Sequence, residues 1–175
     1  MTIHAEHPFL EPTRDPGRQF RGRLGGRVSV WTAGAGMQRA GLTVSSLILV
    51  PGEQWTALAC LDPDADLTAQ LQRTGTGVIS LLDAPHRGLA EIFAGLAPAP
   101  GGPFACGAWQ ETAWGPALTD SEHLAGVHTW AGVRLVRHRQ VGYQLVVACR
   151  IEHIELGEDA DPLLTYRGRY STDTG

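Results

Sequence analysis

The chain has 175 residues, the length of one domain able to bury its own core. Its 14 cationic residues are all arginine and are outnumbered by 18 acids, which sets the net charge at −4 and the pI near 5.9. Lysine chemistry, meaning Schiff bases and phosphate-loop nucleotide hydrolysis, is therefore excluded, and the acidic balance leaves no electrostatic footprint for nucleic acid.

Residues 1–16 are polar, carry Pro8, Pro12 and Pro16 and show no period, so they form an N-terminal arm before a single domain over residues 17–175. Five arginines lie between positions 14 and 27. A solvated first helix or turn accounts for them more simply than a phosphate- or RNA-binding patch. Residues 27–33 alternate apolar and polar, residues 34–36 make a turn, and residues 42–50 form a second β run ending at Pro51 and Gly52. A third strand is expected over residues 55–61. Beyond it, the acids of residues 62–66 precede two helical turns over residues 67–73, where they favour the positive end of the helix. Residues 77–82 read as the fourth strand. After Pro85, the spacing of Leu89, Ile92, Phe93 and Leu96 predicts a helix that Pro98 to Pro103 stops. Residues 101–122, rich in Gly, Pro and Trp, have no sustained period and read as a long surface loop, either functional or merely connecting. Two further strands, residues 130–136 and 144–156, are joined by an Arg-rich turn over residues 137–139.

Gly and Pro together number 33 of 175 residues, well above the usual share of about 12%, and with no asparagine the turns depend on Gly, Asp and Ser. At least six short strands with two short helices predict a β sandwich or barrel. Cys60, Cys106 and Cys149 are an odd number without a CxxC pair, and no leader pattern opens the chain. They read as small packed hydrophobes in a reduced, cytoplasmic protein. The longest apolar runs fall far short of the ~20 residues of a membrane helix, so no membrane partner is expected. Of seven histidines, none is spaced from a second ligand as in a zinc site, so no metal is expected. No GxSxG elbow is present, and Ser45, Ser46 and His86 are the only hint of a hydrolase.

Chemistry concentrates in residues 40–47, Ala-Gly-Leu-Thr-Val-Ser-Ser-Leu, where a glycine leads into a strand bearing Thr43, Ser45 and Ser46. Such hydroxyls beside backbone N–H groups can bond a flat heteroaromatic ring or a phosphate, or simply form a hydroxyl-rich strand face. The segment resembles the G-M-T-V-S-S-F signature of the flavin reductase-like family. Four later segments resemble it in the same order. Residues 59–62, Ala-Cys-Leu-Asp, are similar to its VCLD strand end, with residues 77–82 resembling the FAVNVL strand that follows. Residues 86–95 are similar to its QRDLARRFAG helix, and residues 162–170, Pro-Leu-Leu-Thr-Tyr-Arg-Gly-Arg-Tyr, to its terminal PLLYYRGRY.

The resemblance spans roughly residues 18–171 and implies a six-stranded antiparallel Greek-key split barrel with short flanking helices, dimeric, with FMN or FAD near the subunit interface. It implies that Thr43, Val44, Ser45 and Ser46 line the flavin ring and its ribityl chain, with Cys60, Leu61 and Asp62 beside them. Tyr166, Arg167 and Arg169 match a motif near the flavin or the nicotinamide. Ser80 stands where relatives have Asn, and Phe93 packs either on the ring or in the core; with Asp64 and Asp66 repelling it, a flavin phosphate is expected nearer Arg87 or a helix N-terminal end. The implied activity is NAD(P)H-dependent flavin reduction by hydride transfer to N5, with reduced flavin passed to a monooxygenase or another acceptor and no protein acid or base required. Two departures stand out. The LDRSSRT that holds the flavin phosphate is replaced by Leu61-Asp-Pro-Asp-Ala65-Asp66-Leu67, and a histidine associated with nicotinamide binding is replaced by Gln144. These departures support an alternative, a split barrel that binds flavin or deazaflavin without turning over a nicotinamide.

Overall fold

The computed structural model describes residues 16–119 and 128–172, so the expected arm, but for Pro16, and the end of the 101–122 segment lie outside the described residues. Helix α1 (Pro16–Leu24) precedes β1 (Gly26–Arg27), β2 (Ser29–Ala33), β3 (Ala40–Val44), β4 (Ile48–Val50) and β5 (Thr56–Leu61). Then come α2 (Asp66–Thr74), β6 (Thr76–Leu81), α3 (Arg87–Phe93), β7 (Ala108–Glu111) and β8 (Pro116–Thr119). Two 12-residue strands, β9 (Trp130–Val141) and β10 (Gln144–Glu155), and a small hairpin, β11 (Leu164–Tyr166) and β12 (Arg169–Ser171), complete the chain.

Seven strands form one antiparallel sheet in the order β3-β2-β6-β9-β10-β5-β4. Its edges, β3 and β4, are separated in the chain only by residues 45–47, so a single bent segment carries the sheet from one edge to the other. At the bend, the Ser46 hydroxyl accepts the Cys60 N–H at 2.9 Å and donates to the Cys60 carbonyl at 3.1 Å. The run expected over residues 42–50 is thus divided, and counting its two arms as one strand gives the six strands of the expected barrel. Trp31, Leu61, Leu67, Leu71, Val133 and Val147 fill the main core. A second cluster, with Val30, Leu82, Leu89, Phe93, Leu118 and Leu163, lies under α3.

Four local expectations are corrected. Residues 108–119 form the β7–β8 hairpin rather than a bare loop. Arg137, His138 and Arg139 lie within β9, because the turn comes later, at Gly142 with φ of +57°. Helix α3 ends before Leu96: Gly95 adopts φ of +72°, its N–H reaches the Ile92 carbonyl and the Leu96 N–H reaches Glu91, a Schellman stop that precedes the prolines. Cys60 is exposed rather than packed, because it sits on β5 opposite the inward-facing Ala59 and Leu61.

Candidate functional site

The signature segment seats a helix and opens a cleft. An added Cβ at Gly41 would lie 2.5 Å from the Phe93 ring, so glycine is needed for α3 to approach β3 this closely. Two residues on, the Thr43 hydroxyl donates to the Ala90 carbonyl at 2.8 Å. Strand alternation then sends Val44 into the core and leaves Ser45 half-buried on the cleft side.

The opposite wall is the β11–β12 hairpin. Its base is tied down by backbone bonds from Val28 to Leu163 and from Leu163 to Leu82, and by β1 pairing with β11. Its tip turns at Arg167 and Gly168, with φ of +52° and +73°. Arg167 is the one non-glycine residue with positive φ among the described residues, and its guanidinium lies 5.3 Å from the centre of the Tyr166 ring.

Between β3, α3 and this hairpin lies a cavity of about 790 Å³. This is within the range of pockets that hold cofactor-sized ligands. Thr43, Ser45 and Thr165 supply hydroxyls to its wall, and Arg87, Glu91, Arg169 and Tyr170 supply charge and a phenol. Arg87 donates to Glu91 at 3.1 Å across one helical turn. Burial first, then the Glu91 carboxylate, push the Tyr170 phenol up, with Arg87 pulling it partly back. Tyr170 therefore stays neutral, a hydrogen-bond donor at working pH.

Of the residues singled out in the sequence, Thr43, Ser45, Arg87 and Arg169 meet in this cavity. Val44, Leu61 and Phe93 are core residues, Phe93 packing edge-on against Phe104 and Trp109. Ser80 is fully buried and its Oγ accepts the Leu118 N–H at 3.3 Å, which holds β8 to the sheet. Ser46 and Cys60 are engaged with each other at the bend. Asp62 lies in the exposed turn before α2, where its carboxylate accepts the Asp64 N–H. Tyr166 and Arg167 stand exposed at the hairpin tip. Sequence reasoning missed Glu91, Ala94, Thr165 and Tyr170. An i, i+4 Arg87 to Glu91 pair on an expected helix was the available signal for Glu91.

A second grouping, Asp83, His86 and His128, brings possible ligand atoms within 4.8 Å of one another. Its geometry is that of a locked turn. The Asp83 carboxylate accepts the His86 N–H and the Arg27 guanidinium, and His86 Nδ1 accepts the Asp83 N–H at 3.1 Å. His86 Nδ1 and the Asp83 carboxylate are thus both engaged in holding this turn. The adjoining cavity, about 160 Å³, is small for a flavin.

A family model described as flavin reductase like domain matches residues 21–173. An FMN reductase (NADH) RutF from Methylorubrum populi is 33% identical over 173 residues, covering 98% of this chain and 82% of that protein. Among solved structures, the styrene monooxygenase flavin reductase SMOB from Pseudomonas putida superposes with a TM-score of 0.76 at 21% identity, covering 90% of this chain and 96% of its own. The NADH:FAD oxidoreductase SgcE6 from Streptomyces globisporus, in complex with NAD and FAD fragments, gives 0.73 at 21% identity and covers 95% and 96%.

Proposed function

The chain belongs to the flavin reductase-like domain family, and on that premise we propose that it is an NADH-dependent FMN reductase whose flavin occupies the cleft between α3 and the β11–β12 hairpin. The observation that carries this reading is the convergence of Thr43, Ser45, Arg87 and Arg169 on one cavity of about 790 Å³. Its wall fits the group: hydroxyls suited to the polar edge of a flat ring, and two guanidinium groups suited to phosphate. NADH in place of NADPH is supported by the names of the curated relatives.

A bound flavin would supply the hydride acceptor for a reduced nicotinamide. The protein's part is to hold and orient. Ser45 would bond the flavin edge, and Thr43, with its proton committed to Ala90, keeps β3 and α3 in register. Arg169 and Arg87 would supply the cationic part of the wall. No residue is required as acid or base, because alignment of two flat rings and exclusion of water provide the rate. Reduced flavin would leave for a separate monooxygenase or another acceptor.

The chain works as a homodimer in a reducing, cytoplasmic setting. Ile48, Leu49, Val50 and Trp55 lie exposed on or next to the edge strand β4, an apolar row suited to a second copy. All three cysteines are free, and no described helix is long and apolar enough to cross a membrane.

Anaerobic titration tests the activity. FMN is expected to bind and its absorbance to bleach on addition of NADH. Binding without bleaching by NADH or NADPH would replace the reductase with a flavin or deazaflavin carrier, the reading that Gln144 favours: it sits beside the β9–β10 turn, its amide donating to the Tyr143 carbonyl at 3.3 Å. Absence of flavin binding would remove both.

A further inference from the structure

The cationic groups of the cleft are unequally committed. Arg169 lines the cavity, and no carboxylate among the described residues lies within ion-pair distance of it. Arg87 is paired with Glu91 at 3.1 Å, but its side chain is 60% exposed, and an i, i+4 pair so open to water holds weakly. Glu91 itself lines the cavity, so a carboxylate stands where an anionic ligand would approach.

The turn before α2 has the opposite charge. Here it holds Asp62, Asp64 and Asp66 and no cation, and none of the three lines the cleft. The Asp62 carbonyl and carboxylate are already used within the turn, by Ala65 N–H, Thr68 Oγ1 and Asp64 N–H. Three carboxylates repel a phosphoryl group, whereas a guanidinium binds one through two parallel hydrogen bonds.

We propose that Arg169 and Arg87 form the phosphoryl subsite of this cleft, and that Glu91 is an internal counter-ion that holds Arg87 until the phosphoryl group displaces it. The subsite rests on the flavin reading of the same cleft and adds to it the place of the charge. Two sources share the chemistry, the phosphate of FMN and the pyrophosphate of NADH.

Riboflavin, which has the ring of FMN without its phosphate, separates the possibilities. Flavin fluorescence titrations of the full chain are made with both ligands for wild type, Arg169→Gln, Arg87→Gln, Glu91→Gln and the rescue variant Arg169→Lys, with thermal midpoints checking the fold. Arg169→Gln and Arg87→Gln are expected to weaken FMN by about 10- to 100-fold and leave riboflavin nearly unchanged. Glu91→Gln is expected to tighten FMN several-fold, and Arg169→Lys to recover part of the loss. An unchanged FMN to riboflavin ratio, with a comparable rise in KM for NADH when riboflavin is the acceptor, would assign the subsite to the nicotinamide pyrophosphate. If neither quantity moves in folded variants, the subsite is wrong while the flavin reading stands. If wild type binds neither flavin, both fall together.

Discussion

At the scale of single residues, the two clearest electrostatic features lie outside the cleft and concern stability and reactivity. Glu152 accepts from Arg134, Trp114 and Arg150 on the outer face of β9 and β10, and these bonds, Arg134 first, hold its carboxyl at about 2, below the ordinary 4.5. A depressed carboxyl stabilises the fold above its unfolded value and loses that effect as pH falls from about 4.5 through 2. Glu152→Gln should therefore flatten the acid limb of the stability curve in that window, measured as urea midpoints against pH. Equal slopes for wild type and variant would show that the cluster contributes nothing. Burial pushes the Cys149 thiol up to about 12, whereas Cys60 is exposed. A thiol reagent at pH 8 should label Cys60 in the native protein and spare Cys149 until unfolding. Equal labelling rates would mean that β10 opens readily. Reactivity of this kind was not legible in the sequence, where all three cysteines read alike, because the face of β5 on which Cys60 lies depends on its register with β10.

At the scale of elements, the signature segment divides its labour residue by residue. Gly41 makes room for Phe93, Thr43 anchors α3, Val44 fills the core, Ser45 faces the cleft and Ser46 fastens the bend to β5. The hydroxyls were legible as a binding surface because their types and spacing suit one. What the spacing could not give is that two of the three hydroxyls are committed to holding backbone. Gly41→Ala should cost about 1–3 kcal/mol by overpacking, since the added methyl meets an aromatic ring that Phe104 and Trp109 hold in place. It should also weaken FMN, because α3 carries Arg87 and Glu91 into the cleft. Urea denaturation and a flavin titration check the pair of effects, and a variant unchanged in both would separate α3 from the site. Strand β9 runs further than composition suggests for a related reason: Arg137, His138 and Arg139 look like a turn, but Gly142 provides the positive φ that a two-residue connection needs.

At the scale of the whole molecule, barrel closure by one bent strand brings β3 and β5 together and leaves β4 as an exposed apolar edge. The mainly β character and the strand order of events along the chain were legible from alternation and turn residues. The approach of the C-terminal hairpin to α3 was not, since it depends on Leu163 joining Val28 and Leu82, both remote from it in the chain. The exposed β4 edge predicts a dimer, twice the 18.8 kDa chain mass by light scattering, that Leu49→Lys dissociates. A wild-type monomer would leave that edge without the proposed partner.

The central claim, that this cleft is the flavin site, is tested most directly by closing it. Ser45→Trp places a large ring in the cavity at a half-buried, cleft-lining position, and Ala94→Trp does the same from the end of α3. Flavin fluorescence titration should show FMN and riboflavin affinity both reduced by about tenfold or more in each variant, with the thermal midpoint near that of wild type. Wild-type affinity for FMN in both folded variants would contradict the account and move the flavin elsewhere on the barrel.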